Sequence, residues 1–482
     1  MFPSLENVPL HPSRRQLLVA SALGAGAAVV GWVPSAVAAE AERASATPSQ
    51  ITYMYGADNE GKVEVRFNWI TTPEVQQTVI EWARAHTYSR NRKLMFSKQG
   101  RVQNVDIQVA TSAPIAGHKV ELTDLQPDTE YVYRVGDGRG NWSPVAKFTT
   151  RVRHAREFTF HWFTDVQQSE LREYEDRLDA AMKHAWADNP NPDFLVFTGD
   201  QVNDSYKSDQ WDGFFQVAQP YFRSTPMFPL IGNHEYEGAP RDGYLNWESP
   251  DPWFLNFDAR FNIPQNGPAF TGAQGGLPTA AGDAARTLDG TSYSFEFGDA
   301  LFLVLNHFDQ LPSDSYAPQL DWMRTVRQQS DKKWTIVLYH HGLYLGRRSN
   351  PWRYQEIARV FDEVGVDLAL SGHDHMYLRS KPMRGNEPVA VGEGTIYITG
   401  GAGGDGEGYA YNEARNGRTT ELVVDQKQAS YQTVTVSPEG IRIVAKYRDP
   451  ATQQYGVADD FTVTRKVPSS LEGWVSKVSP LA

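Results

Sequence analysis

The chain has 482 residues, which is too many for one ordinary hydrophobic core and predicts two or three domains. Its net charge of -12 disfavours attraction to polyanions, so we expect no nucleic acid partner. The sequence contains no cysteine, which excludes disulfides, thiolate metal sites and cysteine nucleophiles. Any metal ion must therefore be held by nitrogen and oxygen ligands.

Residues 1–38 have the pattern of an export signal. Arg14 and Arg15 precede an apolar stretch rich in alanine and glycine, and residues 36–38 (Ala-Val-Ala) fit a cleavage site. A twin arginine in this context is typical of the bacterial Tat pathway, so we expect a periplasmic or secreted protein. The alternative is an uncleaved anchor, because the apolar stretch is long enough to span a bilayer. Its glycines and proline favour cleavage, and we expect no membrane association afterwards.

Residues 39–50 are small and polar and predict a linker. Residues 51–152 contain short runs in which apolar and polar residues alternate, such as Lys62–Trp69 and Glu130–Val135. This pattern predicts an all-β sandwich. The segment Leu122–Tyr131 resembles the strand-turn-strand corner of a fibronectin type III domain, so we interpret the region as fibronectin type III-like.

Apolar strands alternate with helical stretches from Phe158 onward, which predicts an α/β domain over residues 156–448. Helices are predicted over Leu171–Ala187 and Trp211–Tyr221. Residues 266–290 predict a surface loop, and residues 449–482 a C-terminal tail. The predicted strands are Phe158–Asp165, Asp193–Asp200, Met227–Gly232, Leu301–Asn306, Trp334–His340, Val366–Ser371 and Thr395–Thr399.

Five of these strands are followed by, or end in, residues that can bind metals. These segments are Asp165-Val166-Gln167, Gly199-Asp200, Gly232-Asn233-His234-Glu235, His340-His341 and Gly372-His373-Asp374-His375. Ligands bind beyond the carboxyl ends of strands in open α/β sheets, so we expect the five segments to converge. Carboxylates, amides and imidazoles together suit first-row metal ions. Because two such ions can activate water and neutralise phosphoryl oxygens, the sequence predicts a two-metal phosphoesterase.

In this order the motifs resemble the calcineurin-like metallophosphoesterase superfamily, and the sandwich in front of them resembles that of purple acid phosphatases. The resemblance covers about Ile51 to about Arg448 and implies a four-layer αββα catalytic domain. It implies two metal ions, which would be Fe, Mn or Zn. The first metal would be bound by Asp165, Asp200 and His375, and the second by Asp200, Asn233, His340 and His373.

The same resemblance makes His234 the proton donor or a partner of a phosphoryl oxygen, with Glu235 supporting its charge. His340 is chosen over His341 because the segment His340–Tyr344 matches the family pattern His-x-Pro-x-Tyr/Trp at its first histidine. The proline of that pattern is absent here.

Two positions depart from the purple enzymes. Asn203 stands where those enzymes carry a tyrosine ligand, and Gln167 stands where the wider superfamily often has histidine. Gln167 or Asn203 must then offer an amide oxygen, or water must fill the position. The missing phenolate predicts a colourless or faintly coloured enzyme with Mn, Zn or Fe(II), unless Tyr206 supplies a phenolate instead.

The leading interpretation is an exported phosphomonoesterase, similar to acid phosphatases, that acts on a small phosphate ester. A phosphodiesterase or nucleotidase on the same site is the second interpretation. A surface-binding protein with a vestigial metal site is the third, and the intact ligand set argues against it. No feature of the sequence indicates an oligomeric state.

Overall fold

The computed structural model describes residues 45–59, 62–105, 113–151, 155–236, 255–268, 290–307, 316–344, 351–402, 411, 413–424 and 428–465. The predicted export signal and most of the predicted loop at 266–290 lie outside these ranges. Within the ranges, no helix has the length and apolar character needed to cross a membrane. Ala41–Ala482 forms one compact unit.

Alternating apolar and polar residues build an all-β domain at the front of the chain. Its elements are β1 (Ser49–Asn59), β2 (Lys62–Thr71), β3 (Val79–Arg84), α1 (Ala85–Asn91), β4 (Phe96–Gln99), β5 (Arg101–Val105), β6 (Ile115–Leu125), β7 (Glu130–Gly136) and β8 (Ala146–Thr149). The antiparallel sheets β1-β2-β6-β5 and β4-β3-β7-β8 bury Phe67, Tyr133 and Phe148 between them. The predicted all-β domain is confirmed, although β1 already begins at Ser49, inside the predicted linker.

Strands alternate with helices in the following domain, as predicted. Its strands are β9 (Phe158–Phe163), β10 (Phe194–Phe197), β11 (Met227–Pro229), β12 (Tyr293–Phe297), β13 (Ala300–Val304), β14 (Trp334–His341), β15 (Leu368–Gly372), β16 (Tyr377–Ser380), β17 (Met383–Arg384), β18 (Glu387–Pro388), β19 (Ile396–Thr399), β20 (Thr420–Val424), β21 (Ser430–Val436), β22 (Ile441–Arg448) and β23 (Tyr455–Val463). Its helices are α2 (Leu171–Asp176), α3 (Leu178–Asp188), α4 (Ser208–Phe222), α5 (Asn233–Tyr236), α6 (Leu255–Arg260), α7 (Tyr316–Gln329), α8 (Pro351–Val364) and α9 (Glu413–Asn416). The helix predicted over Leu171–Ala187 is divided at Arg177, which lies between α2 and α3.

Two large mixed sheets form this α/β domain, which is the predicted catalytic domain. The first has the order β11-β10-β9-β21-β22-β23, and the second has the order β12-β13-β14-β15-β19-β16-β20. Phe160 and Phe194 of the first sheet contact Phe302 of the second, so apolar residues of both sheets share one core. The assignment of residues 449–482 to a tail is wrong for β23, which pairs with β22 along its length.

Direct hydrogen bonds join the all-β domain to the catalytic domain. The hydroxyl of Tyr53 donates to the carbonyl of Ser224 at 2.8 Å, and the hydroxyl of Tyr133 donates to that of Arg223 at 2.9 Å. The Gln219 amide exchanges two hydrogen bonds with the backbone of Ile51. These contacts fix the all-β domain against α4 and the residues that follow it.

Candidate two-metal active site

The predicted metal-binding segments meet at one edge of the catalytic domain. Strands β9, β10 and β11 run parallel in the first sheet, and β14 and β15 run parallel in the second. The carboxyl ends of these two groups of strands contact each other. The Nδ1 of His340, on β14, lies 2.7 Å from the carbonyl oxygen of Thr198, which follows β10. The backbone N–H of His373 likewise donates to both carboxylate oxygens of Asp165, at 2.8 and 2.9 Å.

Sharp turns after the strands direct these side chains inward. Asp165, Asp200, His373 and His375 all have positive φ angles, of 50°, 53°, 77° and 52°. Such angles are costly for residues other than glycine and concentrate at functional sites. This conformation also explains why β9 and β10 end before the predicted strands do.

Two glycines allow the segments to approach closely. A Cβ at Gly232 would clash with the carboxylate of Asp200, and a Cβ at Gly372 would clash with Thr164 and Asp165. The glycines in the Gly-Asn-His-Glu and Gly-His-x-His motifs are therefore required by the packing of one metal-binding segment against another.

Asp200 lies between the two groups of predicted ligands. Its Oδ2 is 3.0 Å from the Nε2 of His340, which is in turn 3.1 Å from the Oδ1 of Asn233. Because the Nδ1 of His340 faces a carbonyl oxygen, that nitrogen carries the proton and Nε2 is directed at the site. Asp165, Asp200 and His340 bring their donor atoms within 4.8 Å of one another.

Gln167 and His375 accompany Asp165 on the other side. The Nε2 of His375 is 3.5 Å from the Oδ1 of Asp165 and 3.1 Å from the Nε2 of Gln167. The Oε1 of Gln167 is buried and accepts no hydrogen bond from the residues that the structure describes. Of the two candidate amides, Gln167 is therefore the one that lies beside the predicted ligand His375.

Asn203 and Tyr206 are directed elsewhere. The amide nitrogen of Asn203 donates to Asp204 at 3.1 Å, while its backbone carbonyl contacts His234. The Tyr206 ring packs in a small apolar cluster with Ile70 and other residues near the all-β domain. Neither side chain thus resembles the phenolate ligand of purple enzymes.

His234 stands at the more open side of the site, with 23% of its side chain exposed. The Nδ1 of His234 lies 2.7 Å from the carbonyl oxygen of Asn203 and carries the proton. Its Nε2 lies 3.8 Å from the Oδ2 of Asp200. Its backbone N–H donates to the Oδ1 of Asp200 at 3.0 Å. This position fits a group that exchanges protons with a substrate.

Glu235 forms hydrogen bonds with backbone N–H groups rather than with the imidazole of His234. Its buried carboxylate accepts hydrogen bonds from the N–H groups of Asp200, Gln201 and Gly232, at 2.9, 2.8 and 2.7 Å. Glu235 therefore joins the turn that carries Asp200 to the turn that carries Asn233, which differs from the predicted support of an imidazolium.

The electrostatics of the cluster favour a negatively charged Asp200. Burial alone would raise its pKa, but the imidazoles of His340 and His234 lower it well below the ordinary value. Burial lowers the pKa of His340, yet the carboxylate of Asp200 outweighs this effect and raises it to about 9. For Glu235, burial and the charge of Asp200 raise the pKa to about 7.

The structure also brings His341 into the site, which the sequence analysis did not assign. Its Nε2 lies 3.1 Å from the Oδ1 of Asn233, and its ring stacks on that of His373 with centroids 3.7 Å apart. The adjacent histidine pair was visible in the sequence, but regular strand geometry directs only one of two neighbours to a given face.

The residues present fit metal ions. Donor atoms of carboxylates, imidazoles and amides converge in a buried cluster, and the buried Oε1 of Gln167 is an oxygen ligand of the appropriate kind. This donor set suits first-row transition metals. Fold and site together define a metal-dependent phosphoesterase.

Comparisons with known proteins agree with this class. Residues 158–377 match the family described as calcineurin-like phosphoesterase, and residues 48–150 match the purple acid phosphatase N-terminal domain. The chain is 24% identical over 380 residues to Purple acid phosphatase 18 of Arabidopsis thaliana, covering 77% of this chain and 74% of that protein. It is 23% identical over 385 residues to Fe(3+)-Zn(2+) purple acid phosphatase 12 of the same plant, covering 75% and 73%.

A solved structure shows the same fold. A purple acid phosphatase isolated from yellow lupin (Lupinus luteus) seeds superposes with a TM-score of 0.63 at 18% identity, covering 90% of this chain and 77% of that one. The chain therefore contains a calcineurin-like phosphoesterase domain and, before it, a purple acid phosphatase N-terminal domain. It is a hydrolase of phosphate esters with a dinuclear metal site.

Proposed function

We propose that this protein is an exported phosphomonoesterase that hydrolyses a small phosphate ester. The observation that carries the proposal is the convergence of donor atoms from five strand ends beside one histidine, His234, at the open side. We assign the first metal position to Asp165, Asp200 and His375, and the second to Asp200, Asn233, His340 and His373. Gln167 completes the first position with its amide oxygen.

Two cations at these positions would lower the pKa of water and neutralise phosphoryl oxygens. The chain itself supplies the shared carboxylate of Asp200, which the backbone N–H of His234 orients. His234 protonates the departing alcohol oxygen from Nε2, while Nδ1 keeps its hydrogen bond to the carbonyl of Asn203. Glu235 holds the turn of Asp200 in place through three backbone hydrogen bonds.

The preference for monoesters is tested with matched model substrates. The purified, metal-loaded protein should hydrolyse p-nitrophenyl phosphate with a higher kcat/KM than bis(p-nitrophenyl) phosphate. A reversed preference would replace the proposal with a phosphodiesterase on the same site. Absence of hydrolysis from a protein that binds two metals would favour a binding role.

For the metals we propose divalent Mn, Zn or Fe(II) rather than a tyrosine-ligated Fe(III). The support is the position of Asn203, whose amide donates to Asp204, and of Tyr206, whose ring packs in an apolar cluster. The iron-loaded protein should be colourless or faintly coloured. A strong purple band that disappears in Tyr206→Phe would overturn this assignment.

Export rests on the twin arginine of the predicted signal. Replacing Arg14 and Arg15 together by lysine should keep the protein inside the cell, because the Tat pathway reads the arginine pair. Normal export of the double variant would assign the signal to another route. The fibronectin type III-like topology of the front domain and the four-layer arrangement of the catalytic domain stay predictions.

A further inference from the structure

His340 and His341 are neighbours on β14, yet both reach the active site. Successive side chains of a regular strand point to opposite faces. Here the pairing of β14 with β15 is irregular, because Leu338 pairs with Leu370 whereas His341 pairs with Gly372. Three residues on β14 thus span two on β15, which is the geometry of a β-bulge, and bulges near active sites redirect side chains.

The bulge brings both imidazoles to one amide oxygen. The Nε2 atoms of His340 and His341 each lie 3.1 Å from the Oδ1 of Asn233. His341 is 2% exposed, and its ring is 3.7 Å from that of His373 with an angle of 18° between the planes. The donor nitrogens of His340, His341 and His373 all fall within 4.8 Å of one another.

Three buried imidazoles with nitrogens this close together offer a set of lone pairs to the same small space. A cation that accepts a lone pair from each nitrogen makes the same arrangement favourable, and neutral imidazole is the usual form in which histidine binds metals. The backbone N–H of His341 donates to the carbonyl oxygen of His307 at 3.2 Å, which anchors the strand end that carries the ring.

We propose that His341 is a ligand of the second metal position, together with Asp200, Asn233, His340 and His373. This inference rests on the proposed division of the site into two metal positions. A third imidazole adds nitrogen without adding negative charge, so it selects a borderline divalent cation such as Zn²⁺ at this position.

The first experiment compares His341→Phe with wild type. Phenylalanine preserves a ring that can stack on His373 but removes the donor nitrogen. Zinc titration against a chelator should show one of the two sites weakened by about 10–100-fold, with the other site unchanged. The absorption spectrum of the Co²⁺-loaded variant should also change in band position or intensity.

His118→Phe is the matched control. His118 is a buried histidine of the all-β domain that stacks on Trp69, with ring centroids 5.2 Å apart. The control should bind two zinc ions with wild-type affinity and give the wild-type Co²⁺ spectrum. If His341→Phe behaves like the control in both measurements, the proposal is overturned.

A crystal structure of the zinc-loaded protein separates a ligand from a residue that only positions Asn233. A ligand requires the Nε2 of His341 within about 2.0–2.1 Å of zinc. A His341 that contacts only the amide of Asn233 would overturn the proposal, even with weakened zinc binding in the variant. If the wild-type enzyme preferred diesters, the proposed monoesterase activity would be refuted. A zinc-bound His341 in the crystal structure would still support the ligand proposal.

Discussion

The two sides of the candidate site use different donors and are built by different backbone devices. On one side, Asp165 and Gln167 follow a strand through a left-handed turn, and carboxylate and amide oxygens dominate. On the other side, imidazoles of β14 and β15 dominate, and a bulge presents two of them. Carboxylate oxygens are thus concentrated at Asp165 and Asp200, whereas imidazole nitrogens surround Asn233.

Removing the carboxylate of Asp200, which we propose is shared by both metal positions, should have the largest effect. Asp200→Asn takes charge from both positions at once, so we expect loss of both metals. Loss of the chemistry that the metals supply should lower turnover by more than about 10⁴-fold, the upper limit for a single general acid. Metal analysis measures the number of bound ions, and steady-state kinetics measure the turnover.

Asp193→Asn is the control, since Asp193 lies at the opposite end of β10 and binds the backbone N–H of Thr159. It should retain two metals. An Asp200→Asn protein with full turnover and two metals would show that the carboxylate is not shared.

His234→Ala should leave both metal positions filled, because the proposed role of His234 is to act on the substrate and not to bind a cation. Turnover should fall by about 10²–10⁴-fold. The loss should be smaller for substrates with good leaving groups, which need no proton. Zinc content distinguishes the roles, and a variant that loses both metals would identify His234 as a ligand.

Glu235→Gln tests whether metal binding on both sides of the site depends on the hydrogen bonds that join the turn of Asp200 to the turn of Asn233. The substituted amide cannot accept hydrogen bonds from all three N–H groups, so the free energy of unfolding should fall by about 1–3 kcal/mol. Metal affinity should weaken by about 10–100-fold as the Asp200 turn relaxes. Denaturant unfolding and zinc titration check both, and an unchanged stability would contradict the assigned role.

The smallest effect is expected at Gln167, whose amide we propose completes the first metal position. Gln167→Ala should weaken metal binding at that position by about 10-fold. Asn203→Ala is the matched control, because the Asn203 side chain donates to Asp204, and it should not change metal affinity. If zinc affinity fell in Asn203→Ala but not in Gln167→Ala, Asn203 would replace Gln167 as the proposed amide ligand.

The sequence predicted the five strand ends of the site because each joins a strongly apolar run to a cluster of polar residues. It did not predict the contribution of His341, since a bulge depends on pairing with β15 and leaves no mark in the period of a single strand. The contacts of Glu235 were hidden for a similar reason: two of its three backbone partners, Asp200 and Gln201, lie more than thirty positions away.

β23 was missed because it is an edge strand. Most of its residues are exposed or half-buried, so apolar residues do not alternate clearly along it. The predicted helix over Leu171–Ala187 shows the limit of helical periodicity, which continued across the break at Arg177.

The meeting of two sheets at the site has a thermodynamic consequence. Ligands from β9, β10 and β11 belong to one sheet and those from β14 and β15 to the other, so a bound ion links parts of the chain about two hundred positions apart. The unfolded chain cannot assemble this set of donors, and metal binding therefore shifts the folding equilibrium by mass action. At a hundredfold excess over Kd, each ion adds about 2.7 kcal/mol to the free energy of unfolding. Chelators should accordingly lower the melting temperature of the catalytic domain, so that metal supply governs how long the enzyme stays folded.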